Sequence, residues 1–125
     1  MGREATKKMG LIKRERLTRR GDFDATYRAR NSAADSHLIL YVRPNGLAFS
    51  RIGLSVAGKW GNACRRNTFR RRCREAFRLH KHDIPAGFDI IVIPRRGIDL
   101  SLDEVSTSLV KLSRKLAARK MEPNS

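Results

Sequence analysis

The sequence predicts a single α+β domain in which helices pack on a small mixed sheet. Two features lead to this prediction: three segments carry apolar residues at helical spacing, and three shorter segments alternate or run apolar as strands do. The predicted order is helix, strands, basic helix, strand and helix. The basic helix lies between two strands in the sequence. This order predicts that the two strands are parallel and that the helix forms the crossover connection between them. At 125 residues the chain is long enough for one such domain with a modest core.

The predicted domain covers residues 14–120. Residues 1–13 mix charged, glycine and small residues without a period, which is typical of a flexible basic tail, and residues 121–125 are interpreted as a frayed end. The first helix is predicted over residues 17–29, and Thr18 is suited to cap it because its hydroxyl can accept a free N–H of the first turn.

Two aromatic residues of the first helix, Phe23 and Tyr27, are four positions apart and therefore share one face. Core packing is the ordinary explanation for such a pair. Arg28 follows at the end of the helix, where the helix dipole favours a positive charge.

Three strands are predicted. Residues 37–43 (HLILYVR) alternate, residues 51–57 (RIGLSVA) place their branched side chains on one face, and residues 88–93 (FDIIVI) are apolar enough to be buried on both faces. Residues 31–36 between the first helix and the first strand are predicted to form a turn.

The basic helix is predicted over residues 63–80, because no Gly or Pro interrupts this stretch, and Asn62 is a good N-cap. An apolar stripe at helical spacing faces the core: Phe69, Cys73, Ala76 and Phe77. The last helix begins at Ser101, which forms a capping box with Glu104.

Positive charge is concentrated on the basic helix. Residues 59–81 contain nine Lys or Arg side chains and one acidic residue, Glu75. A solvated face is the ordinary explanation for a charge run, but such faces usually mix both signs. Arginine predominates here, and its planar guanidinium matches the oxygens of a phosphate. The pattern therefore favours a helix that binds a polyanion.

The composition of the whole chain agrees with this interpretation. A net charge of +16 and an isoelectric point near 11.3 indicate nucleic acid or an anionic membrane as partner. The sequence has neither an apolar run near the ~20 residues of a membrane span nor a secretory signal. Cys64 and Cys73 fall on opposite sides of one helix and cannot pair within it. Unpaired thiols suit the cytoplasm, where we expect the protein to reside.

The sequence carries no recognisable catalytic motif. It lacks a glycine-rich phosphate loop, a His-Glu-x-x-His pair and a plausible nucleophile with its base, and its acidic residues are scattered. Cys73, His80 and His82 match no standard zinc spacing. We therefore predict neither catalytic residues nor metal ligands, and no small-molecule cofactor. A nucleic-acid-binding module is the expected class.

Residues 51–78 (RIGLSVAGKWGNACRRNTFRRRCREAFR) closely resemble the signature of the bacterial ribonuclease P protein subunit. That signature reads approximately Lys-x-Gly-Asn-Ala-Val-x-Arg-Asn-Arg-x-Lys-Arg-x-x-Arg-Glu-x-Phe-Arg. The resemblance extends over about residues 14–116. Three positions depart from the pattern: Cys64 replaces Val, Arg70 replaces Lys, and Thr68 stands at a usual Arg, a loss for which Arg65 and Arg72 could compensate.

The resemblance implies a ribonucleoprotein that removes the 5′ leader of precursor tRNA, in which the RNA subunit is the Mg²⁺-dependent catalyst and the protein alone is inactive. It also implies a left-handed crossover, whereas parallel crossovers are normally right-handed. The residues matching the RNA-subunit-binding positions are Lys59, Asn62, Arg65, Arg66, Asn67, Arg70, Arg71 and Arg74. The residues matching the leader-binding positions, with one basic neighbour, are Phe23, Tyr27, Tyr41 and Arg28.

Three other functions remain open at this point. A structural RNA-binding protein of the ribosomal type would share the charge and the fold, but it would not discriminate precursor from mature tRNA. A DNA-binding module would place the arginine helix in a major groove, although its basic surface is broader than a reading edge. A nuclease that acts without RNA would need the carboxylate cluster that the sequence lacks.

Overall fold

The computed structural model describes residues 13–120, and the predicted tails lie outside these residues except for Lys13. In this range there are three α-helices: α1 (Arg20–Arg28), α2 (Ala63–Leu79) and α3 (Leu102–Lys120). There are also four strands: β1 (Ser32–Ala34), β2 (Leu38–Pro44), β3 (Arg51–Leu54) and β4 (Phe88–Pro94). Two short 3-10 helices lie at Lys13–Glu15 and Gly58–Trp60. The predicted α+β class is confirmed.

The strands form one mixed sheet in the order β1-β2-β4-β3. β2 runs antiparallel to both β1 and β4, whereas β3 and β4 are parallel, with Leu54 opposite Val92. The chain passes from β3 through α2 to β4, so the predicted crossover through the basic helix is confirmed. The hand of this crossover stays a prediction.

The hydrophobic core lies between one face of the sheet and the two longer helices. Alternate residues of β2 face it, because successive side chains of a strand point to opposite sides. From α2 the core receives the predicted apolar stripe, and from α3 it receives Val105, Leu109, Leu112 and Leu116. The central sheet residues of the core are Leu38, Leu40, Val42, Ile52, Ile90 and Val92.

The first helix begins later than the sequence predicted. Leu17 donates its N–H to the carbonyl oxygen of Ile52 at 2.9 Å, and Arg16 forms a parallel bridge with the same residue. These contacts hold the chain extended along β3, and Leu17 is buried. The helix therefore starts only at Arg20, after the extended residue Arg19, and Thr18 does not cap it.

Two other segments differ from the predicted strands. Residues 32–34, predicted to lie in a turn, form the edge strand β1. Ser and Ala have no marked strand preference, and the backbone bonds to β2 that form this strand leave no pattern in the sequence. β3 ends at Leu54, where its pairing with β4 ends, and the chain then turns into the 3-10 helix Gly58–Trp60.

A buried carboxylate connects the strands on the other face of the sheet. Asp89 of β4 is fully buried, and both of its oxygens accept bonds from the Arg51 guanidinium at 2.8 Å. Arg43 and Asn45 each donate to the same carboxylate at 3.0 Å, and Asp22 of α1 approaches both arginines. Because a buried charge is tolerated only when it is paired and hydrogen-bonded, these partners allow Asp89 to lie inside the protein.

The two cysteines occupy different environments on α2, as predicted. Cys64 is exposed and Cys73 is buried in the core. Burial raises the pKa of Cys73 to about 12, and the charge of Arg74 offsets only part of this effect. The thiolate is the reactive form of cysteine. The native protein should therefore present one reactive thiol, Cys64, among the described residues.

Replacing Asp89 by Asn should destabilise the protein by about 2–4 kcal/mol, because Arg43 and Arg51 lose the buried carboxylate with which both are paired. Asp24→Asn is the matched control, since it removes the same charge from an exposed site on α1 and should change stability by less than about 0.5 kcal/mol. Urea unfolding of both variants measures the difference. Equal losses would contradict the role given to Asp89.

Titration with a chromogenic disulfide reagent at pH 8 should label one thiol per native chain and both after denaturation. Cys64→Ser should abolish the fast reaction, whereas Cys73→Ser should leave it intact. Two fast thiols in the native wild-type protein would contradict the burial of Cys73.

Candidate nucleic-acid interface

The orientation of α2 follows from its first turn and its buried stripe. The Asn62 side chain accepts the N–H of Arg65 at 2.9 Å, which confirms the predicted N-cap. Phe69 and Phe77 are almost completely buried in the core. Because the helix cannot rotate without exposing these rings, its arginines are directed toward solvent.

The outward surface of α2 is strongly basic. Arg71 is exposed, and Arg70, which is half-buried, donates to the Asn67 side chain at 3.0 Å. Glu75 is the one acidic residue of this helix, and Arg78 neutralises it at 2.6 Å. The guanidinium groups nearer the start of the helix are therefore not balanced by Glu75. We call Asn67, Arg70, Arg71 and Arg74 the basic face.

Arg74 shows how crowded the positive charge is. Burial lowers its pKa, and repulsion from Arg16 and Arg70 lowers it further. Arg16 belongs to the segment that pairs with β3, so the fold adds to the basic face a charge that is distant in sequence. The helical pattern of residues 63–80 could not reveal this neighbour, because a backbone bridge places it.

The remaining residues predicted to bind the RNA subunit lie at the start of α2 and are engaged within the protein. Asn62 serves as the N-cap, and Arg66 donates to the Gly61 carbonyl oxygen at 3.1 Å. Lys59 lies 5.0 Å above the centre of the Trp60 ring, which is within the range of a cation–π contact.

Arg65 and Arg72 contact the loop that precedes α3. Arg65 forms an ion pair with Asp99, and Arg72 donates to the Leu100 carbonyl oxygen at 2.8 Å. Thr68 donates to the Cys64 carbonyl oxygen within the helix. The two arginines that could compensate for the missing arginine at Thr68 thus have partners in the protein.

The predicted leader-binding aromatics meet on the opposite face of the sheet from the core. Tyr27 of α1 and Tyr41 of β2 form an edge-to-face pair with ring centres 4.9 Å apart. Phe23 lies one turn earlier on α1 and packs over Gly53 of β3. A Cβ atom at Gly53 would come within 2.6 Å of the Phe23 ring, so the absence of a side chain there creates room for it. We call Phe23, Tyr27 and Tyr41 the aromatic cleft.

All three rings of the aromatic cleft are partly exposed, so they combine packing contacts with accessible surface. The Asp89 cluster lies at the end of the cleft where α1 begins, since Asp22 precedes Phe23. Arg28 is exposed in the last turn of α1. Sequence reasoning missed the Asp89 cluster, because an acidic residue inside an apolar strand gives no sign of its partners.

Beyond the tyrosines, the uncovered part of the sheet forms a shallow depression of about 330 Å³. Its floor contains Ile39 and Ile93, and its rim carries Lys59, Trp60 and Arg95. The apolar floor and basic rim suit a single-stranded nucleic acid, whose bases can pack on the floor and stack on Trp60 while its phosphates contact Lys59 and Arg95.

The described residues contain no group of three or more His, Cys, Asp or Glu side chains placed to hold a metal ion. Within residues 13–120, no helix has the length and apolar character needed to cross a bilayer.

Comparison with known proteins relates this chain to one family. The Ribonuclease P family model matches residues 11–117. The ribonuclease P protein component of Thermotoga maritima is 42% identical over 95 residues, which cover 76% of this chain and 81% of that protein. The corresponding protein of Oleidesulfovibrio alaskensis is 37% identical over 111 residues, covering 85% of this chain and 89% of the relative.

Solved structures agree with the sequence comparison. The RNase P protein from Thermotoga maritima superposes with a TM-score of 0.74 at 37% identity, covering 81% of this chain and 96% of that structure. The Staphylococcus aureus RNase P protein gives a TM-score of 0.70 at 34% identity, covering 82% and 94%. The match of fold, sequence and full domain length shows that this chain belongs to the ribonuclease P protein component family.

Proposed function

We propose that this chain binds the catalytic RNA of ribonuclease P through α2 and holds the 5′ leader of precursor tRNA in the aromatic cleft. Membership of the family makes it a component of a ribonucleoprotein that processes tRNA. We infer that it divides its roles within that complex between these two surfaces and that the complex resides in the cytoplasm.

The crowded basic face is the observation that carries the RNA-subunit assignment. Arg70, Arg71 and Arg74 project from a helix whose rotation is fixed by buried phenylalanines, and Arg16 adds a fourth charge. Mutual repulsion makes this surface unfavourable in the free protein. Phosphates relieve the repulsion and release counterions when they bind. Backbone contacts of this kind position an RNA without reading its sequence.

The aromatic cleft supports the leader assignment. A mature tRNA has lost the segment that would occupy the cleft, so stacking there discriminates precursor from product. Stacking of a base on an aromatic side chain contributes about 1–3 kcal/mol. Basic residues along the path, Arg28 and Arg95 among them, would contact the leader phosphates.

We assign no catalytic residue to this chain. The described residues offer no cluster of side chains placed to hold a metal ion. The Mg²⁺ of the reaction is assigned mainly to the RNA subunit. The protein contributes substrate affinity, and its positive charge reduces the repulsion between two polyanionic RNAs.

Reconstitution tests the proposal as a whole. The protein is mixed with a bacterial ribonuclease P RNA at low Mg²⁺, and release of the 5′ leader from a precursor tRNA is followed. We expect cleavage to require both components. If the protein does not stimulate cleavage and binds that RNA no better than an unrelated one, a structural RNA-binding role replaces the proposal. Cleavage by the protein alone would instead indicate a nuclease.

Arg71→Ala should weaken binding of the catalytic RNA by about 3-fold to 10-fold and reduce the salt slope of the binding constant by about one. Arg114→Ala is the matched control, because it removes the same charge from an exposed position on α3 outside the basic face. Binding is measured across a range of salt concentrations. Identical affinities and slopes for the two variants would contradict the assignment of α2.

Replacing Phe23 and Tyr27 together by Leu should weaken binding of a leader-bearing precursor by about 10-fold or more while leaving mature tRNA nearly unaffected, because Leu fills space but stacks poorly on bases. The control Tyr27→Phe keeps both rings of the helix and should bind normally. Equal losses for precursor and mature tRNA would contradict leader binding in the cleft.

A further inference from the structure

We propose that a separate nucleotide site lies on the far side of Trp60 from the aromatic cleft. It is a surface pocket that takes one unpaired ribonucleotide, with the base against Trp60 and the phosphate between Arg65 and Arg96. We call it the Trp60 pocket. This inference rests on the proposed function, because it adds a binding site for the same RNAs.

The Trp60 pocket is large enough for a nucleotide. Its volume is about 450 Å³, within the range of small-molecule sites. Trp60 lines both this pocket and the depression beyond the tyrosines, so the indole forms a wall that the two share. A single strand that leaves the sheet surface would therefore meet Trp60 before it reaches α2.

The loop of residues 95–100 forms the wall of the pocket opposite Trp60, and contacts with the rest of the protein hold it at several points. The N–H of Arg95 donates to the His37 carbonyl oxygen at 3.1 Å, and Ile98 is buried in the core. At its end the loop is held by the bond from Arg72 to Leu100. A wall fixed in this way needs little reorganisation when a ligand binds, which favours affinity.

The side chains of the pocket suit a base joined to a phosphate. Trp60 offers a partly exposed aromatic surface, and Arg65 and Arg96 supply two guanidinium groups. His37 is engaged with Ser108 at 3.2 Å and lies 3.7 Å from Glu104. Since Nδ1 of His37 is already hydrogen-bonded to Ser108, the pocket should accept a base chiefly by stacking and show little preference among bases.

The Asp99 carboxylate competes with a bound phosphate for Arg65. It is the one carboxylate among the described residues that line the pocket, and it forms an ion pair with Arg65. Both side chains are well exposed, at 50% for Arg65 and 78% for Asp99, so water can replace their contact at little cost. A phosphate that binds Arg65 must displace Asp99. The carboxylate therefore limits the affinity of the pocket and favours ligands that also stack.

Fluorescence of the full-length protein can report the site directly, because Trp60 is its single tryptophan. A short oligoadenylate should quench the emission, since a base stacks on the indole. An abasic ribose-phosphate oligomer of the same length should bind through charge without comparable quenching. Equal responses to the two oligomers would overturn the stacking contact.

Two matched pairs of variants test the contribution of the pocket to affinity, measured with a labelled oligoadenylate. Trp60→Leu should weaken binding by about 5-fold or more, whereas Trp60→Phe should retain most of it. Asp99→Asn should tighten binding by about 2-fold to 5-fold, the range of an exposed ion pair. Asp103→Asn, which removes the same charge from an exposed position outside the pocket, should have a smaller effect. Equal effects of the two Asp variants, or of the two Trp variants, would overturn the proposal.

Separate titrations with the catalytic RNA, a precursor tRNA and a mature tRNA identify which RNA supplies the nucleotide. The pocket is supported if Asp99→Asn tightens at least one of these complexes while Asp103→Asn does not. If none responds although Arg71→Ala still weakens binding of the catalytic RNA, the pocket is wrong and the proposed function stands. If wild-type protein fails to bind the catalytic RNA and any precursor, the proposed function itself fails.

Discussion

The packing of the α2 stripe against the sheet is the constraint on which the rest of the structure depends. Phe69, Cys73, Ala76 and Phe77 are buried in the same core as β2 and β4, so the helix has one permitted rotation. That rotation determines which arginines reach solvent as the basic face and which turn toward the loop before α3. The apolar residues thus organise the charged surface, although they never contact RNA themselves.

The two faces of the sheet carry out different tasks. One face holds the hydrophobic core under α2 and α3, whereas the other holds the Asp89 cluster and the aromatic cleft under α1. Asp89 and Asp22 together neutralise Arg43 and Arg51, so these two arginines stabilise the fold instead of attracting phosphates. The bonds to Asp22 join α1 to the same cluster. Phe23 and Tyr27 therefore lie on a helix that is fixed at its start.

The sequence predicted those parts of the fold whose pattern is local. The N-cap at Asn62, the capping box of Ser101 and Glu104, and the buried stripe of α2 all follow from residues within a few positions of one another. The edge strand β1 and the late start of α1 could not be predicted in this way, because backbone bonds to distant strands decide them. The same reason explains why Arg16 beside Arg74, and the partners of Asp89, were missed: side chains far apart in sequence meet only after the sheet has formed. Resemblance to a family indicated the aromatic cleft, whereas spacing alone favoured core packing for Phe23 and Tyr27.

The positive charge that defines this protein acts against its folded state. A net charge of +16 on 125 residues repels itself. Burial lowers the pKa of Arg74, and repulsion from Arg16 and Arg70, which lowers this pKa further, shows the same effect locally. The core, the Asp89 cluster and the helix caps must offset this cost in the free protein. A polyanion that binds the folded state removes the repulsion and stabilises the fold by mass action. Stability and RNA affinity are therefore linked through the same arginines: the charges that the free protein tolerates least are those that a bound phosphate backbone stabilises most.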